Sequence, residues 1–144
     1  MMLLLVAAVI VVLLLGAVVY AAIWRKRPQQ LKTLYYQQKW SELQKLLHDK
    51  TRWPEAILSA DKLLETALKK RHVQGRTVGE RLVKAQHLFT DNDSVWFGHK
   101  LRNRIDADPK TKLKETEVKQ ALLGIRRALK DVGALPNGKS TDSK

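Results

Sequence analysis

From Met1 to Trp24 the chain has no charged residue, no Ser, no Thr and no Pro, whereas all 27 Lys and Arg and all 14 Asp and Glu lie from Arg25 onward. A helix of that length is about 36 Å long at about 1.5 Å per residue, enough to cross a hydrocarbon layer of roughly 30 Å. In lipid, a lone segment has to satisfy its own backbone hydrogen bonds, which makes it helical. Tyr20 and Trp24 stand where an interfacial aromatic belt belongs. Val19-Tyr20-Ala21 loosely fits a signal-peptide cleavage site. However, the apolar run exceeds the usual apolar region of about 7–15 residues, and no positive segment precedes it. Residues 1–24 are therefore expected to be a retained transmembrane anchor, with Arg25-Lys26-Arg27 as its stop-transfer flank. Because Lys and Arg beside a span stay in the cytoplasm, the N-terminus should lie outside the inner membrane and the remainder inside. Ala17 and Ala21 form a small-xxx-small seam that suits helix pairing.

Three further regions follow. Residues 25–52 read as a basic juxtamembrane flank and an amphipathic helix, 53–135 as a helical domain, and 136–144 as a polar, breaker-rich tail without fixed structure. Every periodic segment after the anchor has helical spacing, and none alternates as a half-buried strand does. Tyr36, Trp40, Leu43 and Leu47 make one stripe, with the helix expected from Gln29 to about Leu47. Ile57, Ala60, Leu64, Ala67 and Leu68 make a second, from about Pro54 to Arg71. Thr77 with Glu80 forms a capping box ahead of Val78, Leu82, Ala85 and Phe89. Asn92 or Asp93 caps a fourth helix, Val95 to about Ile105. The last, about Lys114 to Val132, ends at Gly133 in the position of a left-handed C-cap. The fold class expected is all-α: an N-terminal transmembrane helix followed by a bundle of four to five helices.

One residue disturbs the apolar pattern. Asp61 falls on the buried side of the second helix, where a carboxylate costs several kcal/mol unless it is paired or hydrogen-bonded. Arg102 is the preferred partner and Arg81 the second choice. Asn103 is expected to cap the loop forced by Pro109.

Arg102 and Asn103 lie near the end of a helix that precedes a Pro-containing loop. With "TVGERL" and "VWFGHKLRNRI", the stretch from Trp53 to about Leu135 resembles small bacterial single-pass membrane proteins carrying a HEPN-like all-α domain. The resemblance implies a HEPN-like bundle that pairs as a homodimer. In active members it also implies metal-independent RNA cleavage by an Arg-Asn…His motif. Here the motif histidine would fall at Asp106 or Ala107, and neither shuttles a proton as imidazole does. His99, one turn before Arg102, is the nearest substitute, and it approaches from the other side. Arg102, Asn103 and His99 are thus the weak catalytic candidates, and the expected role is non-catalytic binding and dimerisation. The alternatives are a membrane-tethered endoribonuclease of HEPN type, or a basic module binding anionic lipid or nucleic acid.

The net charge of +13 supports an acidic partner, either RNA or an anionic leaflet. Arg25, Lys26, Arg27, Lys69, Lys70, Arg71 and Arg76 are the basic-surface candidates. Most aromatics fall on apolar stripes, which argues against a stacking platform for single strands. The four histidines show no metal-ligand spacing and there is no Cys, so neither a metal nor any other cofactor is expected.

Overall fold

The computed structural model describes residues 1–25 and 30–138, with side chains at 24 and 25 left out. Six α-helices and no strand occur among the described residues. The first, α1, runs Met2–Arg25, and its stretch Met2–Ile23 is long and apolar enough to cross a membrane. Its side chains up to Ile23 are exposed, so none of them belongs to the protein core.

The others are α2 (Thr33–Leu46), α3 (Trp53–Lys70), α4 (Val78–Ala85), α5 (Asn92–Ala107) and α6 (Glu115–Asp131). The expected helix start at Pro28 and Gln29 lies outside the described residues, as do Lys26, Arg27 and the tail from 139 on. Among the described residues no packing boundary separates residues 30–52 from 53–135. Tyr36, Trp40 and Leu43 of α2 join the same buried cluster as Ile57, Leu64 and Leu68 of α3 and Ile125 and Leu129 of α6. The aromatic stripe of α2 has no other apolar surface to cover, so α2 is a full member of a five-helix bundle. α2 is continuous from Thr33 to Leu46.

Caps explain most of the boundaries. Thr77 Oγ1 accepts from the Glu80 backbone N–H at 3.2 Å, and the Glu80 carboxylate reaches back to the Arg76 N–H at 2.7 Å. α4 is shorter than its stripe suggested: it ends at Ala85, and a 3-10 turn, Gln86–Leu88, delivers Phe89 to the core. The cap of α5 is Asp91 rather than Asn92 or Asp93. Its carboxylate accepts from the Ser94 N–H at 3.0 Å and hydroxyl at 2.7 Å, while Arg127 of α6 approaches to 2.6 Å. The Ser94 hydroxyl first, then its N–H, holds the Asp91 carboxyl below the ordinary carboxylate range.

At the end of α6, Gly133 sits at φ 80°, and Ala134 N–H bonds Leu129 O at 2.8 Å while Gly133 N–H bonds Lys130 O at 2.9 Å. These are the paired bonds of a Schellman motif. α3 ends the same way with a residue the sequence did not flag. His72 takes φ 58°, its N–H meets Lys69 O at 2.9 Å, and Val73 N–H meets Leu68 O at 3.0 Å.

α5 and α6 pack backbone to backbone. A Cβ on Gly98 would come within 2.9 Å of the Ile125 side chain, and one on Gly124 would collide with the Ser94 backbone carbonyl. This close crossing sets the depth at which α5 sits, and with it the polar residues on its other face.

Candidate functional site

The one buried carboxylate of the bundle is the centre of the site. Asp61 is 2 % exposed and His99 7 %, and they face each other across the α3–α5 contact. His99 Nδ1 lies 3.0 Å from Asp61 Oδ1, and Asn103 Nδ2 lies 3.2 Å from His99 Nε2. Asn103 Oδ1 in turn accepts from Arg102 Nη1 at 3.1 Å. Arg102 Nε stands 3.6 Å from Asp61 Oδ2, which makes it an ion-pair partner but not a hydrogen-bonded one.

Donor and acceptor logic fixes the directions around this ring. The guanidinium can only donate, so it takes the Asn103 carbonyl. That turns the Asn103 amide N–H₂ toward Nε2, which must therefore accept. The ring proton is left on Nδ1, where the Asp61 carboxylate receives it. All four side chains agree on one assignment, and each of the two ring nitrogens of His99 has a partner. The Trp96 ring stands edge-on to the imidazole, 5.8 Å between centroids, and Gly79 of α4 lies beside Nε2, where a Cβ would make ordinary contact at 3.6 Å.

The need of a buried carboxylate for a cation placed Arg102 beside Asp61. It did not place His99 there, although His99 and Asn103 are separated by four residues and must share a helix face. Nor does Asn103 cap the Pro109 loop. That loop is held by Asp108, whose carboxylate accepts from the Lys110 N–H at 3.0 Å, and by the Thr111 hydroxyl, which donates to Asp108 O at 2.7 Å. Arg81 is used elsewhere: Nη1 donates to Val73 O at 2.7 Å and ties α4 to the turn after α3.

Arg102 opens on one side to a shallow cleft lined also by Leu58, Lys62, Glu65 and Asp106. Within it, Asp106 Oδ2 lies 3.2 Å from Arg102 Nη1. Asp106 thus offers the arginine a third anionic or carbonyl oxygen. Glu65 receives Lys69 at 2.6 Å and Lys62 at 3.1 Å. Lys69, ahead of Lys62, holds the Glu65 carboxyl below its ordinary range against the opposing effect of burial.

Of the basic-surface candidates, Lys69 is committed to Glu65, while Lys70 and Arg76 are exposed and Arg71 is half-buried. The side chains of Arg25, Lys26 and Arg27 lie outside the described residues. No group of three His, Cys, Asp or Glu able to hold a metal occurs among the described residues. No protein-family profile, curated protein or solved structure matches this chain.

Proposed function

We propose that this chain is a single-pass membrane protein whose helical bundle faces the cytoplasm and acts by binding, as a non-catalytic module that pairs with a second copy of itself. The likeness of "VWFGHKLRNRI" to HEPN-like domains belongs to the proposal and supplies the expectation of a dimer. The observation that supports the non-catalytic part is the closed ring Asp61–His99–Asn103–Arg102. General acid–base catalysis on RNA needs an imidazole within reach of the ribose hydroxyl or the leaving oxygen. In this bundle both imidazole nitrogens are engaged inside one chain, and the ring is buried between α3 and α5. The arginine that would neutralise the phosphate is surrounded by Asp61, Asp106 and the Asn103 carbonyl. A ring so completed serves to lock α3 against α5, which gives a binding face a fixed shape.

The full-length protein in detergent, incubated with end-labelled single-stranded RNA and a chelator, is expected to leave the RNA intact. Cleavage that disappears in Arg102→Ala would replace this reading with the metal-independent endoribonuclease. Native mass spectrometry of the same preparation should show a dimer, and a strictly monomeric species removes the pairing. Protease added to intact cells should spare the bundle; its digestion there would reverse the orientation.

A further inference from the structure

We infer that the corner of the bundle formed by the start of α2 and the end of α3 rests on the anionic headgroups of the bilayer that α1 enters. The inference depends on the single-pass reading and adds a docked pose to it. Leu34 is 81 % exposed on the first turn of α2, and Tyr35 beside it is 46 % exposed. Leu31, Lys32 and Tyr35 share one cleft with Thr66 and Lys70, so the C-terminal end of α3 lies next to them. Two stretches of chain meet at this corner, and both are free of acid. No Asp or Glu occurs from Gln30 through Ser41, where Lys32 and Lys39 stand, or from Thr66 through Gly79, where Lys69, Lys70, Arg71 and Arg76 stand; of these Lys39 is paired to Glu42 and Lys69 to Glu65. Lys32, Lys70 and Arg71 have no ion-pair partner among the described residues.

Elsewhere the cleft lined by Lys119, Leu123 and Arg126 also lacks a carboxylate, but it lies against Trp40, Gln44 and Leu47 in the half of α2 farther from the tether, and the remaining surface is mixed. Where α2 gives way to α3 and α6 begins, Asp49, Glu55, Glu115 and Glu117 are interspersed with the cations. The start of α5 and the end of α6 carry Asp91, Asp93 and Asp131. Glu42 and Glu55 line a neighbouring cleft that Tyr35 also borders. At the α2–α3 corner the cleft shared by Leu31, Lys32, Tyr35, Thr66 and Lys70 has no carboxylate in its lining, and the exposed Leu34 stands beside it. This is the composition an interfacial surface needs: apolar side chains to enter the headgroup layer and cations to attract it. An RNA strand would use the cations but has no use for Leu34, and it would want more exposed rings to stack on than Tyr35.

The tether permits this pose and keeps it local. From Arg25 to Thr33 the chain can stretch no more than about 29 Å, at up to about 3.6 Å per residue. The first turn of α2 is therefore held close to the leaflet whether or not it is docked, and each cation there shifts the docked population about fivefold.

The chain has no cysteine, so Gln37→Cys, exposed one turn after Leu34, gives a single labelling site, and Lys112→Cys gives a control in the α5–α6 loop. The full-length protein, carrying an environment-sensitive fluorophore, is reconstituted into phosphatidylcholine vesicles with or without phosphatidylglycerol, each doped with nitroxide-labelled lipid. Quenching at residue 37 is expected in the anionic vesicles, with little in the neutral ones and little at residue 112 in either. Lys32→Glu, Lys70→Glu and Arg71→Glu together should lower the docked population by at least on the order of 100-fold and return quenching to the neutral level, with the helical circular-dichroism signal unchanged. Equal quenching in both vesicle types, or equal quenching at 37 and 112, overturns the docked corner. So does a fluorophore that responds to single-stranded RNA and not to lipid. Retention in the vesicles after alkaline carbonate, measured on the same samples, reports on α1 separately. Protein that is retained but unquenched sinks the docking and leaves the anchor standing.

Discussion

α1 and α6 are both long, unbroken helices, and their sequences obey opposite rules. α1 is apolar on every side, all of its described side chains are exposed, and nearly any order of the same residues would serve. α6 is mixed, and the order is everything: Val118, Leu122, Ile125 and Leu129 are buried while Lys119, Arg126 and Arg127 point outward. The first helix is specified by what it contains and the last by where each residue falls. The core of the bundle is correspondingly sensitive to single atoms, whereas α1, apolar along its length, is sensitive only to charge.

The largest effect that would test this contrast is Asp61→Ala. It strands the His99 N–H and removes the carboxylate facing Arg102, and should cost about 3–5 kcal/mol of unfolding free energy in chemical denaturation. A melt like wild type would mean that the ring does not lock α3 to α5. Next comes Leu13→Arg, mid-way along α1. Placing a charge at the centre of a span costs about 2.5–3.5 kcal/mol in insertion, so a larger share should be lost to alkaline carbonate, while Leu13→Ile should change nothing. Gly124→Ala adds one methyl group where Ser94 leaves no room. It should cost about 1–3 kcal/mol, whereas Gly16→Ala in α1, which meets nothing within 4 Å, should be silent in the same assay. The smallest change has the opposite sign. His72→Gly relieves a non-glycine residue at φ 58° and should raise stability by about 1 kcal/mol, read as a higher Tm.

The readings that came easily from sequence were the ones carried by neighbours in the chain. Thr77 and Glu80 are three residues apart, Gly133 follows the last turn of α6, and the apolar stripes repeat every three or four residues. The misreadings involve residues that choose between several local partners. Asp91, Asn92 and Asp93 can each cap a helix, and which one does depends on Arg127, which reaches Asp91 from α6. The boundary drawn after residue 52 followed the extent of the family resemblance, which begins at Trp53, yet the ring of Trp40 is buried with residues from the far end of the chain. His72 carries no sequence mark of a left-handed cap, because the usual residue there is glycine.

The site divides along the same line. Asp61 announced itself, since a carboxylate on an apolar stripe has to find a partner. That Arg102 should be close followed from charge alone, and nothing in charge distinguished His99, which is closer. The choice was made by the α5–α6 crossing at Gly98 and Gly124, which sets how deep α5 lies and which of its side chains reaches α3.

By itself the sequence determined an apolar rod, an all-helical remainder, the faces that must be buried and a carboxylate in need of company. All of these follow from solvation, which acts on each residue where it stands and can be read without knowing the neighbours. Only the tertiary structure decided that α2 belongs to the bundle, that a histidine rather than an arginine makes the shorter contact with Asp61, and that Lys32 and Lys70, distant in sequence, line one cleft. Those outcomes depend on which side chains meet across helices, at distances set by close packing, and such meetings have no signature in local order.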